Sequence, residues 1–324
     1  MNAATTNSDA RRFQVLSLDG GGIKGIFSAA VLAAIEEDLE TKITDHFDLI
    51  AGTSTGGVIA IGLGLGIRPR EIVELYMQEG PKIFPCQCGT KSLQHWVARK
   101  FSAAPFDAAL KKCFQDKRLG DSAKRLLIPA YNLSNDDIYL FRTAHHQKLR
   151  RDYKTAAWEV AKATSAAPTF FPCAREIDNL RLIDGGVWAN NPSLVAVVEA
   201  YRTMNIPLSS IYLLSIGTLD AVNRRRKYLN NGGKIAWSLG NTAVDVIMRG
   251  QSIGATNHCK ILLGQNHVER LDPKVAPEEF SLDGIHKADD LFAKASSYSR
   301  NFAPVFLKEF TSHQAPEFNP FYRL

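Results

Sequence analysis

A chain of 324 residues with 45% apolar content can bury a full core, as one large α/β domain or one domain with a sizeable insertion, and this excludes fibrous and disordered classes. The formal net charge of +6 favours acidic partners such as phosphates or anionic lipid headgroups, and equally suits an ordinary surface. Five cysteines, Cys86, Cys88, Cys113, Cys173 and Cys259, are an odd number in a chain too large to need staples, so a reducing, cytoplasmic setting is expected. The Cys86-x-Cys88 pair with His95 nearby lacks the usual two-residue spacing and no second pair follows, so no metal site and no cofactor is expected.

Residues 1–12 read as a disordered polar tail without a basic start or apolar stretch, hence not as a signal peptide. Phe13 to Leu18 reads as a short buried strand. It breaks at Asp19-Gly20-Gly21-Gly22, and Ile26, Phe27, Val31, Leu32 and Ile35 then mark a helix ending near Glu40. Phe47 to Ala51 is a second strand, followed by Gly52-Thr53-Ser54-Thr55-Gly56 and a helix-like apolar run. The uncharged stretch Leu49 to Ile67 is long enough for a membrane check, yet its six glycines suit a sharp turn and a tightly packed buried helix better than a lipid-facing span. Strand, helix, strand, helix in this order argues for a parallel sheet covered on both faces.

Between 81 and 121 the texture becomes aromatic, basic and Cys-containing, and reads as a helical cap insertion over the sheet. Strands resume at Leu126–Tyr131 and Ile138–Phe141. A helix over Ala156–Ala163 stops at Pro168, and Arg181-Leu182-Ile183 leads as a strand into Asp184-Gly185-Gly186. Asn190-Asn191-Pro192 signals a helix start, and Ile211–Ile216 is another buried strand. Beyond Thr218 come the basic run Asn223 to Lys227, a helix-like stretch from Lys234 to Met248, short strand candidates at Lys260–Leu263 and at His267-Val268, and a surface tail over the last twelve residues. The chain therefore divides into the tail 1–12, an α/β domain over 13–218, and a C-terminal part over 219–324 packed on the same domain with regulatory potential.

Three constellations carry chemistry. A GxSxG between strand and helix holds a serine in a tight turn with its hydroxyl exposed, which makes Ser54 a nucleophile candidate. Gly20, Gly22 and Gly25 formally match GxGxxG, but the next strand does not end in the acidic residue a dinucleotide fold needs; Asp48 lies at its start. Consecutive glycine amides at a helix start instead suit an oxyanion hole. Asp184, at a strand end, is a base candidate that a parallel sheet could place beside Ser54. Lys24 reads as a solvated lysine. His258, His267, His286 and His313 follow Asp184 in the order of a Ser-His-Asp hydrolase, yet none sits in a distinctive motif, and each reads as a surface or satisfied histidine.

In this order, Asp19 to Gly25, Gly52 to Gly56 and Asp184 to Gly186, with Ala163 to Pro172 and the Asn190-Asn191-Pro192 helix start, resemble the patatin-like phospholipases over roughly residues 13 to 218. Lys24 departs from the arginine many members carry, keeping charge and losing bidentate geometry. The resemblance implies a three-layer α/β fold with a mostly parallel central sheet flanked by helices, and a Ser54/Asp184 dyad without a catalytic histidine. It also implies an oxyanion hole from Gly20, Gly21 and Gly22 with Thr55, supported by Asp19, Lys24, Gly25, Gly52, Gly56, Gly185 and Gly186. An ordinary aspartate is a weak base at neutral pH, so burial is expected to raise Asp184, or Asp184 is expected chiefly to position the hydroxyl.

The activity implied is a phospholipase A type cleavage of fatty-acyl esters in membrane phospholipids, at the inner face of the membrane and without nucleic acid as partner. Trp96, Phe106 and the basic clusters Lys148 to Arg151 and Arg224 to Lys227 offer contacts to an anionic bilayer, or are solvated faces. The wording from Leu16 to Phe27 also resembles the bacterial subset switched on by a cyclic dinucleotide in phage defence, which implies such an activator and leaves a homo-oligomer open. A constitutive esterase or lipase and a non-catalytic lipid-binding protein on a hydrolase fold are the competing readings.

Overall fold

The computed structural model describes residues 11–85, 100–221, 227–231, 233, 237, 242–276 and 279–324. Strand β1 (Phe13–Leu18) is buried at every position, as expected of a strand covered on both faces. Its side chains alternate between two cores. Leu16 and Leu18 pack with Phe27, Ile50 and Leu214, whereas Phe13 and Val15 pack with Leu49, Leu127 and Leu213. One sheet between two helical layers is the result.

After β1 come α1 (Gly25–Asp38), β2 (Leu49–Gly52), α2 (Thr55–Gly64), α3 (Pro69–Ile83) and α4 (Ala103–Phe114). The hairpin β3 (Arg125–Asn132) and β4 (Asp137–Arg142) leads to α5 (Ala157–Ser165), β5 (Leu182–Asp184) and the single turn α6 (Gly186–Ala189). Then follow α7 (Ser193–Val198), β6 (Ile211–Ile216), β7 (Asp220–Ala221), α8 (Thr242–Leu263), β8 (Val268–Leu271), β9 (Lys274–Val275) and α9 (Ala288–Glu309). The seven-stranded sheet has the order β4-β3-β2-β1-β6-β8, with β5 paired to β3. All its neighbours are parallel except β4 and β5, which run antiparallel to β3.

Register positions the site. Leu18 of β1 stands beside Gly52 of β2 and Ile216 of β6, so the loops leaving β1 and β2 emerge together at the carboxyl ends of the strands, where open α/β sheets place their ligands. Every residue of α2 is buried, in keeping with its glycines and small apolar side chains. Among the described residues no helix is long and apolar enough to cross a membrane.

Several expectations change. Asp184 does not arrive on a parallel strand: β5 is antiparallel to β3, with Asp184 opposite Ala130. Lys260–Leu263 is not a strand but the last turn of α8, stopped by Gly264 at φ 89°; Cys259 and Leu263 anchor that turn in the core beneath the sheet, and a run of three apolar residues cannot distinguish the two states. Beyond Thr218 the chain packs on the α/β domain: β8 pairs with β6, and α9 lies along α1. The last twelve residues are pinned rather than loose: Ala315 and Phe321 donate backbone hydrogen bonds to Asp45 and Ala144, and Phe318 is buried. Phe106 is half-buried and stacks on Phe171 with centroids 5.2 Å apart, packed against the core. Residues 1–10, Cys86, Cys88, His95, Trp96, Arg224 to Arg226 and most of the stretch 234–241 lie outside the described residues.

Candidate active site

Ser54 sits at φ 55° and ψ −125° between β2 and α2, a left-handed backbone that costs a non-glycine residue about 1 to 3 kcal/mol and needs over-determined surroundings. Two close approaches supply them. A Cβ on Gly52 would strike the Gly56 carbonyl, and one on Gly56 would strike the Leu18 carbonyl, so only glycine lets the turn close over β1. The Ser54 amide donates to Thr164 Oγ1 at 3.0 Å, and that hydroxyl donates to the Pro129 carbonyl at 2.5 Å. Thr164 lies within the Ala163 to Pro172 motif, but no sequence signal marks it as the anchor of the elbow.

The height of Asp184 follows from pairing. Ala51 of β2 is in register with Leu127 of β3, and Ala130, three residues on, faces Asp184; Ser54 is likewise three residues beyond Ala51. The two side chains meet: Ser54 Oγ donates to Asp184 Oδ2 at 2.6 Å, while Asp184 Oδ1 accepts the Gly186 amide at 2.7 Å. Both residues are buried. Burial pushes the Asp184 carboxyl from 3.8 up to about 6, against the opposing pull of its hydrogen bonds from Ser54 and Gly186. A carboxylate raised that far, bonded to a hydroxyl in a strained turn, can accept a proton near neutral pH.

The glycine loop has its own restraints. The Gly20 amide donates to the Asn190 carbonyl at 3.0 Å, and its carbonyl accepts from Thr218 Oγ1 and Asn190 Nδ2. The Gly21 amide donates to Thr55 Oγ1 at 3.2 Å. The Gly22 and Thr55 amides have no acceptor among the described residues. Gly22 holds φ 58° and a Cβ there would strike the Leu282 carbonyl, which itself accepts the Ile23 amide at 2.8 Å. Gly25 packs against the Thr55 side chain, and Gly185 against the Pro129 carbonyl.

Asp19 is buried and does not face the serine. Arg270 of β8 grips it with two hydrogen bonds of 2.9 and 2.6 Å, and also reaches Asp272 at 2.7 Å and Ser215 at 2.6 Å. Burial pushes Asp19 up to about 6 against the pull of Arg270, and the two acids hold Arg270 protonated above its usual range. At neutral pH the pair is ionised. Lys24 is half-buried rather than solvated, and desolvation lowers its pKa while Asp272, Asp245, Asp220 and Asp19 oppose that. The four histidines stay apart from the dyad: none bonds Ser54 Oγ among the described residues, and His313 is committed to Asp48 at 2.7 Å. Among the described residues no cluster of His, Cys, Asp or Glu could hold a metal ion.

The family model for patatin-like phospholipases matches residues 16–197, a span that holds all three glycine-rich motifs. The chain belongs to the patatin-like phospholipases. These are carboxylic ester hydrolases, and the matched span includes both Ser54 and Asp184. A cGAMP-activated phospholipase of Pseudomonas aeruginosa is 35% identical over 273 residues, spanning 82% of this chain and 80% of the relative. Another of that description from Escherichia coli is 35% identical over 226 residues, spanning 65% of this chain and 63% of the relative. Patatin-like protein 3 of Arabidopsis thaliana is 29% identical over 272 residues, spanning 69% of this chain and 63% of the relative. The chain thus spans less than two thirds of the length of the latter two.

Proposed function

We propose that this protein is a serine lipid acyl hydrolase of phospholipase A type, working through a Ser54/Asp184 dyad at the inner face of a membrane and switched on by a cyclic dinucleotide. The observation that carries the chemistry is the 2.6 Å hydrogen bond from Ser54 Oγ to a buried Asp184 whose pKa stands at about 6. Activation by a cyclic dinucleotide is supported by the likeness to the cGAMP-activated phospholipases of Pseudomonas and Escherichia.

In the reaction, Ser54 Oγ attacks the carbonyl carbon of a fatty-acyl ester as its proton passes to Asp184. The carbonyl oxygen gains negative charge, and the unengaged amides of Gly22 and Thr55 are the donors assigned to it, with Gly20 and Gly21 holding the loop in shape. Each such donor is worth about 3 to 4 kcal/mol in a dry site. Collapse of the tetrahedral intermediate breaks the ester bond, and Asp184 returns the proton to the leaving lysophospholipid oxygen. Water then attacks the Ser54 ester, giving its proton to Asp184, and the fatty acid leaves as Ser54 is restored.

Labelling with a fluorophosphonate probe tests this directly, because only an activated serine forms the phosphonyl ester. Wild type should label and Ser54→Ala should not. Equal labelling of the two, or none in wild type with cGAMP present, would overturn the reading.

A further inference from the structure

A cavity of about 480 Å3 opens at the end of the sheet opposite the dyad, among walls that include Phe13, Arg125, His146, Thr203, Asn205 and Phe321. Its volume lies within the range of small-ligand sites. Phe13 begins β1 and Arg125 begins β3, so the cavity sits at the amino ends of strands whose carboxyl ends hold the catalytic loops. The C-terminal segment forms one wall: the Phe321 amide donates to the Ala144 carbonyl and the Tyr322 hydroxyl to the Gln147 carbonyl, both at 2.7 Å.

The lining has a particular chemistry. Arg125 donates to the Asp48 carbonyl at 3.3 Å and lies 5.1 Å from the centre of the Phe318 ring, but has no carboxylate partner among the described residues. Its charge is therefore available to an anion. The neighbouring His145 differs, being committed to Thr143 and Glu199 at 3.0 Å each. His146 and Phe321 stand with ring centroids 6.2 Å apart and offer flat faces to a base, with the buried Phe13 closing the floor. Asn205 adds an amide that can read polar base edges, whereas the Thr203 hydroxyl is bonded to Glu199. A cation without a salt bridge among the described residues, aromatic walls and a short amide side chain together suit a nucleotide. A lipid tail would leave the cation unpaired, and a bare phosphate would leave the aromatic walls unused.

Three elements run from this cavity to the dyad. Phe13 and Asp19 bound β1. Arg125 and the Pro129 carbonyl that receives Thr164 share β3, as does Ala130 opposite Asp184. Helix α7 starts beside Asn190, which holds Gly20, and continues as a π-helical turn over Glu199–Thr203 into the cavity wall; such turns recur at functional positions. A ligand that shifts these elements acts on both catalytic loops without entering the active site.

We infer that this cavity is the site of the activating cyclic dinucleotide, with Arg125 taking a phosphate and His146 and Phe321 flanking a base. The assignment rests on the activation reading above, and the test separates the two. Isothermal titration of cGAMP into the full chain is run on wild type, Arg125→Gln and Asn205→Asp, with thermal unfolding of each. Asn205 has φ 57°, a conformation aspartate also tolerates, so that variant adds one negative charge with little strain. Loss of a charge-assisted contact should weaken binding by roughly tenfold to a hundredfold in each variant, with unfolding midpoints close to wild type. Wild-type affinity retained in both variants overturns the site and leaves activation standing. No binding by wild type overturns the activation reading and this site with it.

Discussion

Asp184→Asn should separate stability from activity in opposite directions. Raising a carboxyl from 3.8 to about 6 means that the folded protein holds the charged form at a cost of about 3 kcal/mol, at 1.36 kcal/mol for each tenfold change in proton affinity. The sign follows from linkage. Below pH 3.8 both states are protonated and the cost is absent; it grows as the unfolded chain ionises first, and is complete above pH 6. Asparagine keeps the shape, can accept the Gly186 amide and can donate to Ser54 Oγ, yet carries no charge. At pH 7 to 8 the variant should therefore melt higher than wild type by up to about 6 °C, and the gap should close as pH falls toward 4. Turnover of a soluble ester should drop by at least about 100-fold, since no base remains. Calorimetric melts from pH 4 to 8 beside esterase rates give both readouts. An Asp184→Asn protein that melts below wild type at pH 8, or that keeps full activity, would refute the reasoning.

For the wild type, kcat/KM should fall about tenfold per pH unit below about 6, as Asp184 takes up a proton and ceases to be a base; a flat profile from pH 5 to 8 would remove that role. Arg270→Gln strands the Asp19 charge in a buried site and should cost about 3 to 5 kcal/mol, seen as a melting point lower by at least about 5 °C. Adding Asp19→Asn should restore part of that loss, and a double variant no more stable than Arg270→Gln alone would deny the coupling. Gly22→Ala, forced against the Leu282 carbonyl at a left-handed φ, should lower kcat by about 100-fold or more through displacement of an oxyanion donor; kinetics on a short-chain ester check it.

The sequence exposes β1, β2 and β6 because each is a short apolar run between glycine or polar breaks, and the chemistry of Ser54 because glycines flank it on both sides. Asp184 was legible as a residue and not as a geometry. A three-residue strand carries too little pattern to reveal its direction, and only the pairing of Ala130 with Asp184 explains how it reaches Ser54. Arg270 was invisible, as one cation in Val-Glu-Arg-Leu has no local signature and its meaning arises from an acid 251 residues earlier. The end of α8 misled because Ile261, Leu262 and Leu263 suit either state locally. The pinned tail escaped notice for a related reason: Phe318 stands alone without a periodic apolar pattern, and what buries it lies elsewhere in the chain.

The glycine loop is synthesised well before the residues that hold it, Arg270, which lies 251 residues beyond Asp19, and Leu282. A chain still being translated therefore carries Ser54 long before the clamp on its oxyanion loop exists. Since domains form as their segments emerge, the order in which its parts are made keeps this hydrolase from maturing early.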